Sequence, residues 1–167
     1  AWADLHAMAR TLGKVLVSQQ DMDDAKQMRD QVLRLPAVAS ILKGGGKPEV
    51  SVFARDDDTG VDLRSREDLM PSQDGVSSDV IVDRKTARDF TPRWFGTDAV
   101  RMGYDVRAYH YRRCRQLATG QDQLSFVWIV VESEWPYLAC DVWVEPGMWP
   151  MFEARWRAAV QTWKGCM

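Results

Sequence analysis

Two short stretches, SREDLMP and VDRKTA, hold residues whose types and spacing suit chemistry. Asp68 falls near the end of one strand-like run, and Asp83 and Lys85 stand two apart on the next. Residues two apart on a strand share a face. A carboxylate and an ammonium side by side at the end of a central strand, opposite a second carboxylate, are costly to bury without partners. A divalent cation would satisfy both acids. Two carboxylates completed by water and phosphate oxygens suit Mg²⁺, or Mn²⁺ in its place. Such an ion polarises a phosphoryl oxygen and lowers the pKa of a bound water, while Lys85 orients that water or neutralises developing charge. That is phosphodiester hydrolysis in outline. Taken alone, D-x-K equally describes a salt bridge on an edge strand. Three features favour the chemical reading: Asp68 lies 15 residues upstream of Asp83, Glu49 opens the first strand, and a basic helical segment follows Lys85.

The elements that must position these residues follow from periodicity. Apolar residues from Trp2 to Val17 and within DMDDAKQMRDQVLRL keep helical spacing, and a third helix, PAVASILKG, begins at Pro36 and stops at Gly44–Gly46. The glycine run reads as a hinge into a sheet. Val50, Val52 and Ala54 then alternate with polar neighbours, DDDTG supplies a turn, and Val61, Leu63 and Ser65 resume the alternation as a hairpin. Pro71, Asp74 and Gly75 end that strand, and SDVIVDRK makes a third. Helical spacing returns from Thr86 to Thr119, broken around Thr91–Pro92 and Gly96, with a long helix expected from about Asp98, its N-cap, to Leu117. LSFVWIVVES and YLACDVWV read as strands, and Pro146–Trp163 as a terminal amphipathic helix. The expected fold is α/β, a central mixed sheet of about five strands flanked by helices. One domain fills residues 1–167, with a helical N-terminal part (1–46) and a core that carries the chemistry (47–167).

Composition bounds the function classes. The longest apolar runs, such as FVWIVV, are far below the roughly 18 residues that span a bilayer, so no membrane segment is expected. The start shows no charged, apolar and cleavage-site series, which points to a cytoplasmic protein. The chain opens on Ala1, which leaves room for further functional residues ahead of it. Cys114, Cys140 and Cys166 are odd in number and far apart, so reduced structural thiols are expected and a zinc or iron–sulfur site is not. Trp149, Trp156 and Trp163 recur every seventh residue, which assigns them to a buried helical face. The net charge of −2 conceals a basic island: residues 84–115 hold nine Lys/Arg against three Asp/Glu. An acidic segment followed by an Arg-rich one fits a metal site beside a phosphate-binding surface, and a solvated helix face explains the arginines equally well.

The segments PEVSVFARDDDTGVDLRSREDLMP, SSDVIVDRKTA and GYDVRAYHYRR, in that order, resemble the PD-(D/E)xK nucleases. Within that superfamily they look most like the phage-type exonucleases related to exonuclease VIII (RecE) and, more distantly, lambda exonuclease. The resemblance covers roughly residues 36–144, and only the D…DxK core is sharply specific. It implies a restriction-endonuclease-like core in which Asp68 and Asp83 are metal ligands, the Arg84 carbonyl supplies another, and Lys85 is the catalytic lysine. Glu49 matches the acid of the first motif, and Tyr104 the tyrosine of a YxxQ helix motif. Where that motif has Gln, this chain has Arg107, which a phosphate would suit. The implied activity is 5′-to-3′ degradation of double-stranded DNA ends in phage-type recombination, with a single-strand annealing protein as partner and a ring-shaped homo-oligomer.

Two alternatives stay open: an endonuclease of the same superfamily, and a catalytically inactive nuclease fold used for DNA binding or assembly. Arg84 departs from pattern, because on a central strand its side chain points away from Asp83 and Lys85 and has to find a buried partner. Arg88, Arg93, Arg101, Arg107 and Arg112, with Arg113 and Arg115, are candidates for phosphate contacts. Trp94 and Phe95 read as a buried aromatic pair, or else as a wedge against an unpaired base. His6 reads as an ordinary helix residue.

Overall fold

The computed structural model describes residues 2–73, 76–89 and 91–166. Three helices come first: α1 (Trp2–Thr11), α2 (Gln19–Leu33) and α3 (Pro36–Lys43). The second starts two residues earlier than its acidic run suggests, because Ser18 and Asp21 cap it reciprocally: the Ser18 hydroxyl accepts from the Asp21 amide at 3.0 Å. The sheet then runs β1 (Gly46–Asp56), β2 (Val61–Gln73), β3 (Val76–Ser77) and β4 (Val80–Ala87). Pro71 does not end β2, because it still pairs with Gly46 and the strand runs on to Gln73; Asp74 and Gly75, also read as the break, lie outside the described residues. Helices α4 (Pro92–Arg101) and α5 (Tyr104–Thr119) follow, then β5 (Ser125–Glu132), β6 (Ala139–Trp143) and, after a 3₁₀ turn, α6 (Trp149–Lys164).

The sheet order is β1-β2-β4-β5-β6, with the short β3 paired to β2 off this path. Strands β4 and β5 run parallel and their neighbours antiparallel, so the sheet is mixed. Both faces of β5 are buried, which is why FVWIVV is continuously apolar. Phe126, Trp128 and Val130 meet Ala108, Tyr109 and Cys114 of α5 and Phe152, Trp156 and Val160 of α6. Val127 and Ile129 face the other way, against Val38 of α3 and the apolar side of α2. Helices α5 and α6 therefore share one face, and α2 and α3 cover the opposite one.

The single helix expected from Asp98 is two. Asp98 lies inside α4, where its carbonyl accepts from the Met102 amide at 2.8 Å and its carboxylate pairs with Arg101 at 3.0 Å. The break falls at Gly103, whose left-handed backbone (φ 66°) turns the chain into α5. Gly96 is an exposed position within α4. Trp156 is buried and Trp149 packs against the core, as expected, but Trp163 is 51% exposed at the end of α6. The Trp94–Phe95 pair divides: Phe95 is buried and Trp94 is 55% exposed. All three cysteines are free; Cys114 is buried, whereas Cys166 is exposed and holds nothing together.

The hinge before β1 is tight. Gly46 has φ 154°, and a Cβ there would come within 2.5 Å of the Met70 carbonyl and 2.9 Å of Pro71 Cα, both backbone atoms. Gly46→Ala is expected to lower unfolding free energy by about 1–3 kcal/mol, read from urea denaturation. A change within about 0.5 kcal/mol would mean that this approach is not tight in solution.

Candidate active site

The hairpin of β1 and β2 pairs without interruption except at one place. Pro48 faces Leu69 and Val50 faces Glu67, so Glu49 and Asp68 lie opposite each other without forming a ladder pair. Glu49 takes φ 55°. Side-chain alternation slips at the same point: Glu67 reaches α5, whereas Leu69, two residues on, packs on the α2–α3 face. The slip releases Asp68 from the ladder, and its Oδ2 accepts the Arg84 amide of β4 at 2.7 Å. Among the described residues β2 and β4 pair only at Leu69 and Val82. Beyond that pair, the Asp68 carboxylate stands in for a backbone carbonyl.

Asp83 and Lys85 share the face of β4 that looks toward α5, as their spacing predicts. Asp83 is 1% exposed and in an ion pair with the Lys85 ammonium. Burial pushes its carboxyl up; Lys85 opposes that shift, Asp68 adds to it and Arg107 opposes it. The Lys85 ammonium also donates to the Arg84 carbonyl at 3.4 Å and lies 5.0 Å from the centre of the Tyr104 ring. Tyr104, Arg107 and Tyr111 follow one another at helical spacing on α5, on the side that faces β4. Burial, then the charge of Asp83, raises the Tyr111 phenol, and Arg107 moderates the shift.

Glu49 lines a cavity on the α2 face together with Asp68 and Arg84, and its carboxylate pairs with Arg66 at 2.8 Å. Among the described residues Arg84 has no buried partner: the side chain is exposed, because β4 has separated from β2 before it reaches this position. His6 is an exposed helix residue edge-on to Trp2.

The basic island separates into two sets. Arg112 lies 4.6 Å from the centre of the Trp149 ring and donates to the Leu124 carbonyl at 3.3 Å, so it is drawn into packing rather than presented to a phosphate. Arg113 clamps Asp56 and Asp58 of the β1–β2 turn. Arg115 is fully buried against Glu67 at 3.1 Å and also binds the Val80 carbonyl. Arg101 pairs with Asp98, and Arg88 with Glu134 at a loose 3.8 Å. Among the described residues no ion pair or hydrogen bond engages the guanidinium of Arg84, Arg93 or Arg107. The sequence reading missed Glu67 and the inward role of Arg115. A signal existed for Glu67, since it continues the buried parity of Val61, Leu63 and Ser65.

Among the described residues, no three His, Cys, Asp or Glu side chains are grouped closely enough to hold a metal ion by themselves. Asp68, Asp83 and the Arg84 carbonyl nevertheless form an all-oxygen set around one residue of β4, the donor chemistry of a hard cation that keeps water and phosphate as its other ligands.

A family model described as a PDDEXK-like domain of unknown function (DUF3799) matches residues 4–143. The chain belongs to this family. Chains described as exonucleases are among the solved structures it resembles. A candidate exonuclease from Eubacterium rectale superposes with a TM-score of 0.65 at 15% identity, covering 96% of this chain and 59% of that one. This PDDEXK-like chain thus spans 59% of that neighbour's length, and at such identity the likeness is one of fold. An alkaline exonuclease from Laribacter hongkongensis matches with a TM-score of 0.35 at 12% identity, covering 93% of this chain and 77% of its own. No curated protein matches in sequence. Among the described residues no helix is long and apolar enough to cross a membrane.

Proposed function

We propose that this PDDEXK-like chain hydrolyses DNA phosphodiester bonds at Asp68, Asp83 and Lys85 with Mg²⁺ or Mn²⁺. The observation that carries the reading is the hydrogen bond from the Arg84 amide to Asp68, which sets a second carboxylate beside the buried Asp83–Lys85 pair. A structural salt bridge would need only one acid.

Asp68, Asp83 and the Arg84 carbonyl would hold the ion. When bound, it polarises a phosphoryl oxygen and makes a ligated water acidic enough to attack near neutral pH. Lys85 opposes the upward push of burial on the Asp83 carboxyl and carries ammonium protons that orient the attacking water and offset charge on the phosphorane oxygens. The Tyr104 ring limits where that ammonium can go. Arg107, with its guanidinium unoccupied by acids, presents two parallel N–H groups to a phosphate. Arg84 and Arg93 supply backbone contacts that hold the strand without reading sequence. Glu49 lines the same cavity as Asp68 on the α2 side and is the further acid of the set. Residues 1–167 act as one nuclease unit.

The finer form is a 5′-to-3′ exonuclease on double-stranded ends, working with a single-strand annealing protein and as a ring-shaped oligomer. The family resemblance supports it. Incubating end-labelled linear duplex and covalently closed circular duplex with Mg²⁺ separates the outcomes. Loss of linear DNA with the circle intact is expected. Cutting of the circle replaces the exonuclease with an endonuclease, and inertness toward both with Mg²⁺ or Mn²⁺ rejects catalysis.

A further inference from the structure

Trp163 has the spacing of a core residue and is half exposed, at one end of a groove of about 460 Å³ between α5, α6 and the start of β2. The floor is rigid. The Trp156 indole N–H donates to His110 Nδ1 at 3.1 Å, so that nitrogen carries no proton, and Nε2 donates to the Arg64 carbonyl at 2.9 Å. Leu63 and Val160 complete an apolar base. Asp62 on the rim is offset by Arg55 at 2.8 Å. Arg107 and Tyr111 also line it, about one and two turns along α5 from Tyr104, whose ring lies 5.0 Å from the Lys85 ammonium. One wall is therefore common to the groove and to the acidic cluster.

We infer that this groove binds an unpaired stretch of the nucleic acid, with a backbone phosphate on Arg107 and bases stacked on Tyr111 and Trp163. The inference rests on the nuclease reading for its position next to the scissile bond. The occupant follows from the lining. Aromatic faces bind bases only when those faces are free, as in single strands, whereas a duplex hides them in its own stack. Among the described residues no carboxylate forms an ion pair with Arg107, so the groove has a cation suited to a polyanion.

Binding is measured on the full chain carrying Asp68→Asn, so that DNA stays intact, with three fluorescent probes: blunt duplex, the same duplex with an oligothymidine tail, and free oligothymidine. Adding Trp163→Ala is expected to weaken the tailed duplex and the free oligothymidine by about 10-fold and leave the blunt duplex unchanged. Trp163→Phe, which keeps an aromatic face, should recover most of the loss; it also separates stacking from any effect on α6, as does an unaltered Tm. Equal affinity of Trp163→Ala and its parent for oligothymidine overturns the inference, as does an equal loss on all three probes. Wild-type hydrolysis of the same duplexes is followed in parallel. Active enzyme without a Trp163 effect rejects the groove and leaves the nuclease reading standing, and an inert wild type with an intact Trp163 effect does the reverse.

Discussion

Lys85→Ala is expected to reduce hydrolysis of linear duplex DNA by about 10²–10³-fold, the loss typical when one preorganised donor to a developing oxyanion is removed. The effect has two parts. The ammonium no longer reaches the phosphorane oxygens, and Asp83, already pushed up by burial, loses the neighbour that most opposes that push. At a given pH more of Asp83 is then protonated and unable to ligate a cation, so the Mg²⁺ concentration for half-maximal rate should rise as well. Raising the pH should recover the metal-binding part and not the missing ammonium. The side chain is 11% exposed, and its aliphatic stem approaches Tyr104, so Lys85→Met serves as the packing control. A folded Lys85→Met protein that degrades DNA at the wild-type rate would sink the mechanism.

Asp83 and Lys85 were readable because a strand has a period of two and β4 obeys it. Their relation to Asp68 was only partly readable. Its residue type and strand could be named, but its contact depends on the slip of alternation opposite Glu49, and one unpaired position in a ladder of constant register leaves no mark in residue types. The reading of Arg84 failed for the same reason. A residue of a fully paired central strand would be buried, and β4 is no longer paired with β2 at that point. Gly96 and Gly103 show a second limit. Both interrupt a helical pattern, yet only Gly103 adopts a positive φ, and what selects it is the packing of α5 on the sheet. Trp163 shows a third. A heptad keeps a residue on roughly one helical face, but α6 carries Trp163 about 21 Å beyond Trp149 along its axis, to an open groove beside the start of β2. By contrast, the mixed sheet, the hinge at Gly44–Gly46 and the burial of FVWIVV are local consequences of composition, and they appear where expected.

The second large effect concerns the ion pair behind the site. Arg115→Met is expected to cost about 3–5 kcal/mol of unfolding free energy at pH 8, because it strands the Glu67 carboxylate, which is fully buried between β2 and α5. Burial already pushes the Glu67 carboxyl up to about 7, with Arg115 pulling the other way. A carboxyl raised in the folded state favours the protonated protein. Its contribution to stability is therefore complete below the unfolded value near 4.5 and is lost as pH rises through about 7. Glu67→Gln removes that dependence, so the gap between Glu67→Gln and wild type should move in favour of the variant from pH 5 to pH 8. Arg115→Met should be milder at pH 5, where Glu67 is neutral, and replacing both residues by Met should recover much of the loss. Urea denaturation of the four proteins at the two pH values decides the matter: a pH-independent gap, or a double variant no better than Arg115→Met, would show that the pair is not what joins β2 to α5. Because Asp68 directly follows Glu67 and Arg115 also binds the Val80 carbonyl at the start of β4, loosening this pair should disturb both strands that carry the acids. The double variant should therefore regain stability more fully than activity, since two Met side chains can fill the volume but cannot hold the start of β4 by a hydrogen bond.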